Sequence, residues 1–422
     1  MATRSRVWRK LLGLKDAVVE GVDFDEAAGM LRVSVRPLRR GRRRCSRCGR
    51  RCAGYDRGGG RRRWRGLDVG WVQVWLEAEA VRVRCPAHGV VVAEVPWARA
   101  GARHTKAFED QCVWLAVRTS RAAVCELMRL SWRTVGAMVE RVGAEARAGR
   151  DLPAGLERIG IDEFSYRRGQ RYLTVVVDHD TGRLVWLAPG RDRATVAAFF
   201  KALGPARCRR LRLVSADAAD WIGPVVRTYA PQAAICLDPF HVVQWATRAV
   251  DAIRRDLWRR LRRSGHRTEA HTLQRARWVL WKAPERLDEA EHERLALLAR
   301  TNRPLYRAYL LKEALRSVFQ APTPQAGLAR LDRWLAWAAR SRLAPFVQLA
   351  RTIRRHRARI EATLHHRLTN ARIEACNTQL RLLHRIAYGF RNVQALISLA
   401  FLKLGGLCPP LPGREMLPTK TA

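Results

Sequence analysis

The stretch from Glu157 to Asp238 constrains this chain most. It alternates short apolar runs with turn and helix signals, in the order strand, strand, strand, helix, strand, helix, strand. Glu157-Arg-Ile-Gly-Ile-Asp162 is a short apolar strand that ends in a carboxylate. Arg171–Val177 and Arg183–Leu187 flank the turn Asp178-His-Asp-Thr-Gly182 and read as a hairpin. A helix is expected from Arg193 to Leu203. The fourth strand, Leu211–Asp217, again ends in an acid, and a fifth, Ala233–Asp238, runs into Pro-Phe-His241. From about Gln244 to His366 the pattern changes to amphipathic helix. Leu328, Leu331, Leu335 and Ala338 form one stripe there, and Pro284, Pro304 and Pro345 punctuate the run.

Upstream, the cysteines sort by spacing. Cys45-Ser46-Arg47-Cys48 followed by Gly49, and Cys85-Pro86-Ala87-His88 followed by Gly89, are two knuckles of the kind that close a tetrahedral zinc site. The alternative is two coincidental pairs. The residues between them alternate as strands (Val69–Leu76, Ala80–Arg84), which puts the second knuckle at the end of a hairpin. Cys52 is a spare ligand or a decoy. Cys112, Cys125, Cys208, Cys236, Cys376 and Cys408 have no partner spacing and read as small core hydrophobes. Next, Ser120 and Ser131 can cap helices over 121–129 and 132–142, joined by a turn at Leu130-Ser131. Val135, Met138, Val139 and Val142 would face inward, leaving Arg133, Ala137 and Arg141 for solvent or a major groove. An ordinary helical hairpin fits that stretch equally well.

Charge narrows the partner. The 422 residues hold 80 Lys+Arg against 38 Asp+Glu, a net charge of +42, and only eight of the bases are Lys. With 48% hydrophobic residues the chain can fold, and nucleic acid is the expected counter-charge. A membrane surface is the rival. No apolar run reaches the roughly 18 residues of a spanning helix, and Met1–Gly21 lacks a signal peptide's apolar stretch. A cytoplasmic protein is the expectation.

The C-terminal region adds a third acid. Asn370 can cap a helix ending near Tyr388-Gly389. Glu374, Asn377, Arg381 and Arg385 recur on one face, with Ile373, Leu380, Leu383 and Ala387 opposite. An acid, an amide and arginines on one face suit a metal-bound carboxylate beside a phosphate backbone.

The strand order is that of an RNase H-like fold, in which strands one and four are central neighbours and their aspartates converge. Asp162, Asp217 and Glu374, with a helical insertion before the last, match the DDE triad of transposases on that core. The chain resembles most closely the ISL-three family of bacterial insertion-sequence transposases. The likeness rests on Gly160-Ile-Asp-Glu-Phe-Ser165, Leu237-Asp-Pro-Phe-His-Val242, Arg277–Lys282 with Leu305–Glu313, and Asn370–Asn392, and it spans about residues 40–405. The N-terminal knuckles fit that family's zinc ribbon, although His88 stands where members often have Cys.

The resemblance implies an α/β enzyme: an N-terminal segment with a zinc ribbon (1–100), a helix-turn-helix (101–150), and an RNase H-like mixed-sheet catalytic domain (155–405). That domain carries an all-α insertion at about 244–366, and a disordered tail follows (406–422). It implies two Mg²⁺ (or Mn²⁺) ions held by Asp162, Asp217 and Glu374, with Asp162 bridging, and structural Zn²⁺ on Cys45, Cys48, Cys85 and His88. The DNA partners would be terminal inverted repeats and target DNA, met by Arg133, Arg141, Asn377, Arg381, Arg385 and Arg391, in a dimer or larger oligomer. Asp220 competes with Asp217 for the second acid. Asp238 and His241 stay open: an auxiliary metal or nucleotide-positioning pair, or a helix-start motif. Glu163, Asp178, Asp180, His365 and His366 are expected to be non-catalytic. Two other classes compete, a DNA-binding relic without catalysis and a ribonuclease or junction nuclease on the same fold.

Overall fold

The computed structural model describes residues 2–414 except 168, 170, 218, 220 and 391. By packing, the chain forms two compact units: residues 1–151 with 383–422, and residues 152–382. Asp220, Arg391 and the last eight tail residues lie outside the described residues.

The first unit opens with α1 (Ala2–Leu11) and a hairpin, β1 (Ala17–Asp25) and β2 (Met30–Pro37). β3 (Ala53–Asp56), β4 (Arg61–Arg65), β5 (Gln73–Glu79), β6 (Arg82–Cys85) and β7 (Gly89–Val92) follow. The expected hairpin before the second knuckle does not form. β5 lies between β2 and β4 in a four-stranded sheet, whereas β6 pairs with β3 and β7 in a separate three-stranded one. The Cys85–His88 knuckle itself turns the β6–β7 hairpin, with Cys85 paired to Gly89. Long-range partners decided this. Val33, Val35, Val74 and Leu76 bury one face of the larger sheet with Trp64 and Trp97, which draws β5 away from β6.

Three helices come next, α2 (Lys106–Ala116), α3 (Arg121–Met128) and α4 (Trp132–Ala148). Ser120 and Ser131 cap as expected, accepting from Ala123 N and Thr134 N. Arg129 makes the turn in the left-handed region (φ +52°). Val135, Met138, Val139 and Val142 are buried. α4 runs to Ala148, longer than expected, and packs along α17 (Val393–Leu404) near the C-terminus.

The second unit holds a five-stranded sheet: β8 (Arg158–Arg167), β9 (Arg171–Asp178), β10 (Leu184–Pro189), β11 (Leu213–Ala216) and β12 (Ala234–Leu237). Its order is β10-β9-β8-β11-β12, with β8 parallel to β11 and antiparallel to β9. This is the RNase H-like arrangement, with strands one and four adjacent at the centre. α5 (Arg193–Leu203), α6 (Pro205–Cys208) and α7 (Ile222–Tyr229) form the crossovers. Phe199, Phe200, Val225 and Val226 bury against Ile159, Ile161 and Val214.

An all-helical block follows: α8 (Pro239–Arg263), α9 (Arg267–Arg275), α10 (Arg277–Trp281), α11 (Glu289–Thr301), α12 (Arg303–Phe319), α13 (Pro324–Arg340), α14 (Ala344–Arg355) and α15 (Arg357–His366). Its core includes Leu311, Leu331, Trp334, Phe346 and Ile353. The block begins at Pro239, five residues earlier than the apolar spacing indicated. Pro304 and Pro345 sit in first turns, where a missing N–H costs nothing. α16 (Ala371–Ile386) closes the unit and runs on into the first. No helix among the described residues is long and apolar enough to cross a membrane.

Candidate active site and metal centre

Two acids meet where the sheet splits. The parallel register pairs Ala216 with Ile161, so Asp217 comes level with Asp162. β11 stops there, while β8 continues to Arg167 because β9 still pairs with it. Asp162 is therefore not a strand end. It stands where β8 loses its partner on one side. Asp217 accepts from Ala219 N at 3.0 Å, which orients its carboxylate.

Asp162 is gripped at both oxygens. Oδ1 accepts from Glu163 N (2.7 Å), and Oδ2 accepts from Asn377 Nδ2 (2.7 Å). Burial raises its carboxyl above the usual range, opposed by the Glu163 N–H and His241; Asp217 and Asp238 raise it further by repulsion. Partly buried acids that repel one another this way form an oxygen donor set suited to a hard divalent cation.

Asp238 and His241 belong to the same cluster. Asp238 is buried, and its side chain does not cap α8. Its oxygens instead meet His241 Nδ1 (3.0 Å) and Asn370 N (3.4 Å). The hydrogen bond to Asp238 raises the imidazole above its ordinary value despite burial, and Asp217 and Asp162 add to it. The pair thus places an imidazole, hydrogen-bonded to a buried carboxylate, beside the acids, and Asp238 stands at the start of α8 without capping it through its side chain.

α16 divides the expected stripe. Glu374, Arg381 and Arg385 are exposed, but Asn377 is 3% exposed and faces Asp162. Ile373, Asn377 and Leu380 share the buried face at helical spacing; that periodicity was the available signal for an inward Asn377. The Glu374 carboxylate makes no hydrogen bond or ion pair among the described residues. Asn370 starts the helix through its carbonyl (Glu374 N, 2.8 Å), yet its buried amide has no partner, so it does not cap as expected.

The residues expected to be non-catalytic have these surroundings. Glu163 pairs with Arg191, and burial pushes its carboxyl up to about 7. Asp178 organises its turn through Thr181 Oγ1 (2.6 Å), and His365 and His366 are exposed. Arg133 is exposed, as expected of a groove-facing side chain. Arg141 is not: it is half-buried and ion-paired with the buried Glu109, which also receives Arg99. A carboxylate on α2, invisible to local spacing, has claimed it.

The two knuckles converge. One ligand atom from each of Cys45, Cys48, Cys85 and His88 lies within 4.8 Å of the others. Cys48 and Cys85 sulfurs are 3.7 Å apart, and His88 Nδ1 is 3.6 and 3.5 Å from the Cys45 and Cys85 sulfurs. A tetrahedron with Zn–S of about 2.3 Å and Zn–N of about 2.0 Å has edges of roughly 3.8 and 3.6 Å. The cluster has zinc's dimensions. Burial raises the Cys85 thiol, but hydrogen bonds from the backbone N–H groups of Ala87 and His88 and from the Cys45 and Cys48 side chains together bring it down to about 7. Among the free cysteines, Cys112, Cys208, Cys236 and Cys376 are buried, as core hydrophobes should be, whereas Cys125 and Cys408 are half-exposed.

The chain matches three family models, each over its own stretch. Residues 159–400 match a model described as a transposase, and residues 93–143 the helix-turn-helix domain of transposase family ISL3. Residues 41–88 match the zinc finger of the transposases of IS204, IS1001, IS1096 and IS1165. The chain is 53% identical to transposases for insertion sequence element IS1557 from two strains of Mycobacterium tuberculosis, over 98% of each chain. It is 28% identical to the transposase for IS1001 of Bordetella parapertussis, over 96% of this chain and 98% of that protein.

Proposed function

This chain belongs to the ISL3 family of insertion-sequence transposases, and from that premise we propose that it binds the terminal inverted repeats of its element, cleaves the DNA ends and joins the freed 3′-OH to target DNA. The observation that carries the reading is the meeting of Asp162 and Asp217 at the split in the sheet, with α16 held against Asp162 by Asn377.

Asp162 and Asp217 would hold divalent metal, with Glu374 as third ligand from the exposed edge of α16. Two Mg²⁺ ions so held would activate a water and stabilise the leaving oxygen of an in-line displacement. The chain's own residues set the stage. Asn377 fixes the rotamer of Asp162, and the Asp238–His241 pair places a hydrogen-bonding imidazole beside the scissile phosphate. Arg381 and Arg385 meet the backbone. The ribbon, its zinc on Cys45, Cys48, Cys85 and His88, and Arg133 of α4 recognise the repeat, and two copies synapse two ends in the bacterial cytoplasm.

The test is cleavage of a labelled duplex carrying the element's own end, in Mg²⁺ or EDTA. Metal-dependent nicking should vanish in Asp162→Asn and in Glu374→Gln while end binding persists. Full nicking by Glu374→Gln would remove that residue from the site. Specific binding without cleavage by any version would favour a DNA-binding relic.

A further inference from the structure

The helical block carries a feature that the cleavage chemistry does not use. α10 buries Val279 and Leu280 completely yet leaves Trp278 62% and Trp281 37% exposed. Their ring centroids are 5.6 Å apart with planes at 73°. The Arg277 guanidinium stands over both rings, 5.2 and 4.3 Å from the centroids. Nearby acids are already engaged: Glu285 with Arg316, and Glu291 with Lys282. Among the described residues, Arg277 pairs with no carboxylate.

The platform is anchored to the core of the helical block. Lys312, 2% exposed, donates to the carbonyls of Leu280 (2.8 Å) and Lys282 (2.9 Å), and Leu280 belongs to the core of the helical block. A buried ammonium thus holds the end of a five-residue helix so that its indoles stay turned to solvent.

The solvent-exposed indole surface beside a guanidinium that pairs with no carboxylate among the described residues suits a base and its phosphate: the rings stack, and the cation takes the backbone. Paired bases in a duplex have their faces covered by neighbours, so only a base taken out of the stack can use these rings. A second copy of the chain would cover the indoles too. It would, however, bring a partner of net charge +42 against an unpaired arginine. We propose that Arg277, Trp278 and Trp281 form a binding site for an unstacked nucleotide of the DNA substrate. This rests on the transposase reading above but not on its cleavage chemistry.

The experiment uses the full zinc-loaded chain in buffer without Mg²⁺ or Mn²⁺, so a protein unable to cleave would still report. The probe is a fluorescein-labelled duplex carrying the element's end, either fully paired or with one extrahelical thymine. Wild type should bind the second form roughly ten-fold more tightly, the scale of one base stacked on an aromatic ring. Trp278→Ala/Trp281→Ala should bring the ratio of the two affinities to about one with little change for the paired duplex, and the Trp278→Phe/Trp281→Phe protein should keep most of the preference. An unchanged ratio in the alanine protein, or equal affinities in wild type, overturns the site. So does an unchanged ratio together with a lower sedimenting mass, which would mark a self-association face. Binding to neither duplex would defeat both this site and the DNA reading. Preference without metal-dependent nicking would leave the site standing and defeat only the cleavage proposal.

Discussion

At the scale of single residues, Asn377 decides how Asp162 is presented. Its Nδ2 holds Asp162 Oδ2 at 2.7 Å, while its own Oδ1 is buried without a partner. Asn377→Ala should leave Asp162 free to rotate. We expect cleavage to fall by about ten-fold or more and the Mg²⁺ concentration for half-maximal rate to rise, with circular dichroism unchanged. Asn377→Asp should be worse, because it adds a repelling charge to an acid already raised by its neighbours. A lower rate with an unchanged metal requirement would make Asn377 merely structural. This residue was hard to place from sequence because an amide between arginines reads as polar surface; only its spacing from Ile373 and Leu380 says otherwise. Tyr388 is a second residue held against local preference. It lies at φ +52° with its ring 94% exposed. Gly389 N and Tyr388 N close the helix end on His384 O and Arg385 O, and Tyr388 already enters the left-handed region one residue before Gly389 (φ +93°). Tyr388→Gly should therefore stabilise the fold by about 1 kcal/mol, read from the denaturation midpoint.

At the scale of elements, the sheet is propped directly beneath its acids. His179 Nε2 and Ser215 Oγ are 2.7 Å apart, both buried. They cross over Gly160, where an added Cβ would come within 2.9 Å of His179 and 3.2 Å of Ser215. Gly160→Ala should cost about 1–3 kcal/mol by forcing β8 and β11 apart, with loss of cleavage to match. Burial, then the nearby Arg372 and Arg158, lowers the His179 imidazole to about 4. Its folded pKa lies below its unfolded value of about 6.5, so its contribution to stability is complete above that value and drains away as pH falls towards 4. A denaturant midpoint followed across this window should drop in wild type and flatten in His179→Gln. The strands of this sheet were legible because each is a short apolar run bounded by turn residues. The N-terminal sheets were not, since β5 pairs with distant β2 and with the preceding β4 rather than with β6, the strand that follows it. The knuckles were legible for the opposite reason, because their ligands are local. Full-length protein should bind one zinc, and Cys45→Ser should lose it and the amide protection of β6 and β7 while protection of β8 to β12 persists.

At the scale of the whole molecule, the excess of arginine works as a field. The sequence offers 80 basic side chains to 38 acids, and some bases are tied up internally, as Arg99 and Arg141 are around Glu109. That internal use limited how far surface arginines could be chosen from sequence: Arg133 and Arg381 are open, Arg141 is not. The remainder can act together on a phosphate backbone, because each contact releases condensed counterions. If about six or more phosphates are neutralised, affinity for duplex DNA should fall by a factor on the order of 10³ between about 50 and about 200 mM salt. Arg133→Ala and Arg381→Ala should each lower the slope of log affinity against log salt by about one. Asp162→Asn should leave that slope in place, since it removes a charge from the reacting centre and not from the surface that meets the backbone. A shallow slope in wild type would mean that most of these arginines serve the fold itself, and the +42 would then need a partner other than nucleic acid to balance it.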